Sequence, residues 1–173
     1  MKKTIFDDKT FQKLSPESIK GRWYRTVKYK RLKQVGNPLG SSMVEGRYHT
    51  TAEDSVLYLS DSPALCMSES TKIFQTVEIK DSAWYTATFK VKLSHVLNLT
   101  DPKILKRLSI TPADLVQPRP GGYNLTQRIA TKARTTGFEA ILVQTARPGL
   151  SGNNLVVFLE VVANTKGIVA VAS

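Results

Sequence analysis

Four polar side chains in the N-terminal half of the sequence stand in segments otherwise typical of a buried core: Arg25, Arg47, Tyr58 and Glu69. Arginine binds phosphate through two parallel hydrogen bonds, which lysine does less well. A tyrosine ring stacks on aromatic groups, and a carboxylate stabilises positive charge that develops beside it. Together these residues predict a pocket that binds a phosphorylated ligand with an aromatic ring and stabilises a cation beside it.

Glu69 lies on a predicted helix that begins with Ser62 as N-cap and Pro63 as first helical residue, and runs to about Phe74. A winding of about 100° per residue places Glu69 on the apolar face of this helix. That face also carries Leu65, Cys66 and Ile73. Because an unpartnered buried carboxylate is costly, Glu69 is expected either to pair with an arginine or to line a pocket, unless the helix register is wrong.

Strands and helices are predicted around this helix. Trp84 to Leu93 alternates like a half-buried strand. Further strands are predicted over Gly21 to Val27, 44 to 50, Ser55 to Ser60, Phe138 to Val143 and Asn154 to Val162. Helices are predicted over Asp101 to Leu108, after Thr111 and from Asn124 to Thr136, with a loop at 36–42. Because these elements mix without strict βαβ alternation, we expect an α+β fold with a mixed central sheet and flanking helices.

The composition is that of a soluble globular protein. The chain has 173 residues, of which 41% are hydrophobic and 23% charged. We expect one domain over residues 1–173, with its core at about 21–162 and an N-terminal arm at 1–20. The lone Cys66 excludes an intramolecular disulfide, and no apolar run suits a membrane span or a signal peptide. We therefore expect a cytoplasmic protein that does not associate with membranes.

Several kinds of chemistry are not predicted. Two histidines and one cysteine do not suggest a zinc site or a Cys–His nucleophile pair, so we expect no metal. The sequence has no glycine-rich phosphate loop and no nucleophile elbow. The net charge is +11, and seven basic residues fall between Lys20 and Lys33, interleaved with aromatic ones. Such a surface attracts phosphates, nucleic acid or an acidic protein, and charge alone does not choose among them.

Four stretches of the chain resemble, in the same order, the RES domain of toxins from bacterial toxin–antitoxin pairs, a family named for Arg, Glu and Ser. They are WYRTV (23–27), EGRYHT (45–50), VLYLSDSPALCMSE (56–69) and GFEAILVQTARPGLSGNNLVVF (137–158). The first three are fairly specific in combination, whereas each alone is weak. The family's two arginines match Arg25 and Arg47, its tyrosine matches Tyr58, and its glutamate matches Glu69.

The chain departs from the family's pattern at two positions. Thr145 stands where the family has its serine, with Ser151 as a weaker substitute, and His49 stands where an asparagine is usual. Asn153 and Asn154 belong to the family-like ending GxNLVVF and are expected to shape the loop.

The resemblance implies a fold related to ADP-ribosyltransferases and an enzyme that cleaves NAD+ at the nicotinamide–ribose bond, by hydrolysis, phosphorolysis or ADP-ribosyl transfer. Glu69, Arg47 and Tyr58 would then be catalytic, and Arg25 and Thr145 would join Arg47 and Tyr58 in binding NAD+. The implied partner is an antitoxin of the Xre type that covers the active site, and a homodimer is weakly suggested.

Two alternatives stay open. A basic nucleic-acid-binding module would use the stretch from Lys20 to Lys33, but it would leave Glu69 and Tyr58 without a role, so direct nucleic-acid binding is not expected. A catalytically inactive protein-interaction domain would fit the departures at Thr145 and His49.

Overall fold

The computed structural model describes residues 6–28, 45–50, 55–76, 84–117, 123–162 and 168–171, and the predicted loop at 36–42 lies outside them. The helices in these ranges are α1 (Asp8–Gln12), α2 (Pro63–Thr76), α3 (Pro102–Leu108), α4 (Pro112–Leu115), α5 (Tyr123–Thr135) and α6 (Leu159–Val162). The strands are β1 (Glu17–Lys28), β2 (Val56–Ser60), β3 (Trp84–Asn98), β4 (Ala140–Gln144), β5 (Asn153–Phe158) and β6 (Ile168–Val171). None of the described helices has the length and apolar character needed to cross a bilayer.

The strands form one mixed sheet in which five of them close a ring. The order is β1-β2-β5-β4-β3-β6, and β1 pairs with β3 as well. The long antiparallel pairing of β1 with β3 contrasts with the short parallel pairing of β3 with β4, which starts at Val96 and Ala140. The sixth strand, β6, runs antiparallel along β3.

The ring strands β2, β3, β4 and β5 contribute to two cores, because successive side chains of a strand point to opposite faces. Inside the ring lie side chains such as Leu57 and Phe89. On the outer face, Val156 and its neighbours pack against helices that contribute Phe11 from α1 and Ile129 from α5. The predicted α+β class, with a mixed central sheet and flanking helices, is confirmed.

Several helix boundaries follow from local capping chemistry. Asp101 accepts a 2.8 Å hydrogen bond from the backbone of Lys103 and so caps α3. Thr111 and Asp114 form a reciprocal capping box at α4. Gly137 follows α5 with a φ of 90°, a backbone conformation that favours glycine. These starts and stops confirm the predictions made from cap residues.

The strand predicted over 44–50 is wrong. The described residues 45–50 form a tight turn in which Gly46 and His49 are bridged. Their backbones exchange hydrogen bonds of 3.2 and 3.4 Å. Arg47 and His49 therefore do not share the face of a strand, and Arg47 projects from the tip of the turn.

Other boundaries differ from prediction as well. Helix α5 begins at Tyr123, so Asn124 lies inside the first turn and is not its N-cap. The strand expected from Asn154 to Val162 ends at Phe158, where the chain enters α6. The apolar run continues across this change, because residues of α6 also pack into the core; hydrophobicity alone therefore did not mark the boundary.

The described N-terminal residues belong to the core. Phe11 is fully buried and Leu14 is 4% exposed, in the same cluster as Ile129 of α5. Strand β1 already begins at Glu17. Residues 6–20 thus pack as part of the domain, ahead of the expected core boundary at residue 21.

We predict that Phe11→Ala lowers the free energy of unfolding by about 3 to 5 kcal/mol, since it leaves a cavity under α1. The neighbouring Gln12 is exposed, so Gln12→Ala should change stability by less than about 0.5 kcal/mol. Chemical denaturation of both variants measures the difference. Equal stabilities would show that α1 is dispensable to the core.

Candidate active site

The Glu69 carboxylate is held by groups from three other residues. Thr145 donates its hydroxyl hydrogen to Oε1 at 2.5 Å, and Asn154 donates from Nδ2 to the same oxygen at 3.0 Å. Arg147 places Nε 3.6 Å from Oε2. The Glu69 side chain is 30% exposed, so it both pairs with an arginine and opens to a cavity. The two roles expected for Glu69 occur together.

Helix α2 carries Glu69 in the predicted register. Ser62 caps the helix by accepting a 3.2 Å hydrogen bond from the Leu65 backbone. Leu65 and Cys66 are buried, which places Glu69 one turn further along at the edge of the buried face. The side chain of Ile73, also predicted for this face, lies outside the described part of the chain.

Strand pairing orients Asn154 toward Glu69. Ser60 of β2 lies opposite Asn154 of β5, and its hydroxyl donates to Asn154 Oδ1 at 2.8 Å. A carboxylate accepts hydrogen bonds but donates none when ionised. The Ser60 contact therefore leaves the Asn154 amide nitrogen as the donor that faces Glu69.

The loop between β4 and β5 approaches the start of α2 very closely. Gly152 has a φ of 123°, and a Cβ there would lie 2.9 Å from both Asp61 and Leu65. Asp61 accepts a 2.7 Å hydrogen bond from the backbone of Asn153. Asn153, which is expected to shape the loop, thus contacts the connection between β2 and α2 through its main chain. Ser151, the weaker substitute for the family's serine, is exposed.

The turn that presents Arg47 is fastened to α5. Gln127 donates to the carbonyls of Gly46 and His49 at 3.0 and 3.1 Å. The hydroxyl of Thr126 donates to the carbonyl of Arg47 itself. Arg47 therefore has a fixed backbone although it lies in a turn.

The Arg47 guanidinium reaches across to α4. Its Nη1 donates to the carbonyls of Leu115 at 2.9 Å and Gln117 at 2.8 Å. The guanidinium carbon lies 4.8 Å from the ring centre of Tyr123, a distance suited to a cation–π contact. One edge of the guanidinium is thus used for positioning, and the remaining donors can serve a ligand.

Tyr58 anchors the same turn from β2. Its hydroxyl accepts a 3.1 Å hydrogen bond from the Tyr48 backbone and lies 2.9 Å from His49 Nδ1. His49 is only 4% exposed, so it acts as a buried partner of Tyr58. Burial of the Tyr48 ring raises the pKa of its hydroxyl, which stays protonated.

These side chains meet in one cavity of about 270 Å³. Its polar lining includes Arg47, Tyr58, Glu69, Arg147 and Asn154. The structure thus brings together the predicted Glu69, Arg47 and Tyr58 in one cavity lining. Thr145 is not among the described lining residues, but its hydroxyl is hydrogen-bonded to Glu69. The sequence pattern does not assign Arg147 or Asn154 to the site. Both lie in the stretch at 137–158 that resembles the family, in its segments TAR and NNL.

Arg25 is not among the described residues that line this cavity. It lies on β1 near Cys66, and burial lowers the pKa of its guanidinium. Cys66 is buried and contacts the Thr26 hydroxyl at 3.2 Å. Burial raises the pKa of the Cys66 thiol, which fits the core role expected for this residue. The second guanidinium of the cavity lining belongs to Arg147.

The described part of the basic stretch lies on the β1–β3 pair. Lys20 stands opposite Lys92, and Arg22 stands opposite Lys90, all four being exposed. Four neighbouring positive charges sum to a positive potential, so this surface attracts anions. Within the described residues, no group of three His, Cys, Asp or Glu side chains is placed to hold a metal ion.

The fold is similar to that of a solved complex. The crystal structure of the M. tuberculosis MbcT–MbcA toxin–antitoxin complex contains a chain that superposes with a TM-score of 0.74 at 19% sequence identity. The match covers 97% of this chain and 94% of that chain. No curated protein matches the sequence.

The RES domain family matches residues 22–169. This span contains the cavity residues from Arg47 to Asn154, together with strands β2 to β5 and most of β1. The chain therefore belongs to the RES domain family.

Proposed function

We propose that this protein is an enzyme that cleaves the nicotinamide–ribose bond of NAD+, and that it acts as the toxin of a toxin–antitoxin pair. The observation that carries the proposal is a half-buried carboxylate, Glu69, fixed by Thr145 and Asn154 in a cavity that also holds Arg47. Membership of the RES domain family and the similar fold of a chain in a toxin–antitoxin complex support it.

The cavity suits a reaction whose leaving group needs no proton. When the C1′–N bond of NAD+ breaks, its electron pair moves to the positively charged nicotinamide ring, which departs as a neutral base. Positive charge then develops on the ribose. The Glu69 carboxylate is fixed before the reaction, so it stabilises that charge without reorganising. An oxygen of the acceptor then forms the new bond to C1′, and a proton that this oxygen carries, as in water, passes to the solvent.

The pyrophosphate of NAD+ carries two negative charges that the two lining guanidinium groups can bind. Arg47 and Arg147 both present planar forks suited to phosphate oxygens. The 3.6 Å contact between Arg147 and Glu69 is long, so a phosphate can compete for Arg147. The Tyr58 ring lies in the same lining and offers a face to an aromatic ring. For Arg25, substrate binding stays a prediction from the family resemblance.

Water, phosphate and a protein side chain are three acceptors consistent with this chemistry. Product analysis after incubation of purified protein with NAD+, with and without phosphate, distinguishes them. Water gives ADP-ribose, phosphate gives the phosphorylated ADP-ribose, and a protein acceptor gains mass.

The proposed protein partner is an antitoxin, which the family resemblance implies to be of the Xre type, and a homodimer is a further implication. We propose the cytoplasm as the site of action, because a chain with one cysteine fits a reducing compartment. A nucleic-acid-binding module using the exposed face of β1 and β3 would instead show binding that falls steeply with salt and no NAD+ loss. An inactive interaction domain would show neither.

We predict that Glu69→Gln lowers the rate of nicotinamide release by roughly 100-fold or more, because the amide keeps the size but lacks the charge. Glu160→Gln is the matched control. Glu160 also pairs with an arginine, at 2.8 Å from Arg134, but it is not among the described residues of the cavity lining. Chromatographic measurement of nicotinamide gives both rates. Undiminished release by Glu69→Gln would remove Glu69 from the mechanism.

We also predict that Thr145→Val lowers turnover by about 10-fold or more, since it removes the hydroxyl that orients Glu69 while keeping the shape. Thr145→Ser retains the hydroxyl and should keep most of the activity. Thermal melting should show that both variants fold. Equal activity of the valine and serine variants would show that the hydrogen bond does not matter to catalysis.

A further inference from the structure

A second groove adjoins the cavity that holds Glu69. It has a volume of about 410 Å³, within the range of small-molecule sites. Its walls are mainly apolar and come from the turn after β3, from α3 and α4, and from the end of β4. Three residues line both spaces: Leu115, Val143 and Gln144. The groove and the cavity are therefore neighbouring compartments of one cleft.

Arg47 stands at the junction of the two compartments. Leu115 belongs to both linings, and its carbonyl accepts the 2.9 Å hydrogen bond from Arg47 Nη1. Along the cleft the order is thus an apolar groove, a guanidinium and a fixed carboxylate. The mainly apolar groove offers aliphatic walls that suit a flat ring more than a phosphate.

The groove is built from well-anchored elements. It lies beyond the carboxyl ends of β3 and β4, which are paired in parallel, and such ends commonly border ligand crevices. Leu105 and Leu115 are buried in its floor, whereas Ala113 and Val116 are exposed at its rim. Because α3 and α4 are both capped at their N-termini, the groove is shaped before a ligand enters.

We propose that this groove binds the purine nucleoside half of the dinucleotide. The proposal rests on the proposed function, because it takes the reacting ribose to lie at Glu69. When the nicotinamide ribose lies at Glu69 and the pyrophosphate lies at Arg47, the second nucleoside extends into the apolar groove. Gln144, exposed where the compartments meet, offers amide donors and acceptors to the polar edge of a base.

The test compares NAD+ with nicotinamide mononucleotide, which has the reacting bond but no adenosine. Wild-type protein should cleave NAD+ with at least a 10-fold higher kcat/KM, because remote binding energy is lost with the adenosine. Ala113→Trp fills the groove from its rim and should lower kcat/KM for NAD+ by about 10-fold or more while leaving the mononucleotide unchanged. Lys103→Trp adds the same ring at an exposed position of α3 outside the groove lining and is the matched control.

A second measurement keeps this proposal separate from the proposed function. Calorimetric titration should show that adenosine monophosphate binds Ala113→Trp at least 10-fold more weakly than it binds Lys103→Trp. This result would support the groove even if no NAD+ were cleaved. Equal binding of adenosine monophosphate by the two variants, or an equal loss of both substrates in Ala113→Trp, would overturn the assignment.

Discussion

The hydrogen bonds to the Glu69 carboxylate are the constraint on which the candidate site depends. Taking a carboxylate partly out of water is costly unless donors replace the water. Here the acid comes from α2, whereas its donors stand at the two ends of the β4–β5 loop: Thr145 directly follows β4, and Asn154 lies in β5. Their contact therefore requires β2, β4 and β5 to be in register.

Strand register converts the fold into this geometry. Ser60 and Asn154 are partners across β2 and β5, and both point to the outer face with Tyr58. A slip of one residue would turn Asn154 into the ring interior. Glu69 Oε1 would then lose its hydrogen bond from Asn154. Gly152 contributes in the same way, because any side chain there would push the loop away from Leu65 and the start of α2.

How much of this could be predicted from the sequence depended on the range of the interactions. The start of α2 at Ser62 and the alternation of β3 were predicted correctly, because capping and pleating act over a few residues. The local pattern predicts a strand where the structure has the turn at 46–49, because this turn is fixed by α5, roughly eighty residues away. Asn154 and Arg147 were missed as partners of Glu69 for the same reason. Only the family resemblance located Thr145.

The environment of the two histidines supports a mechanism without an imidazole. His49 is buried and shares a hydrogen bond with Tyr58, where it supports the turn that carries Arg47. His95 is exposed on β3 and is not among the described residues of the cavity lining. Hydrolysis of an ordinary glycoside needs an acid to protonate the leaving oxygen. A pyridinium leaving group removes this need, so the proposed cleavage can use a fixed carboxylate without a histidine acid.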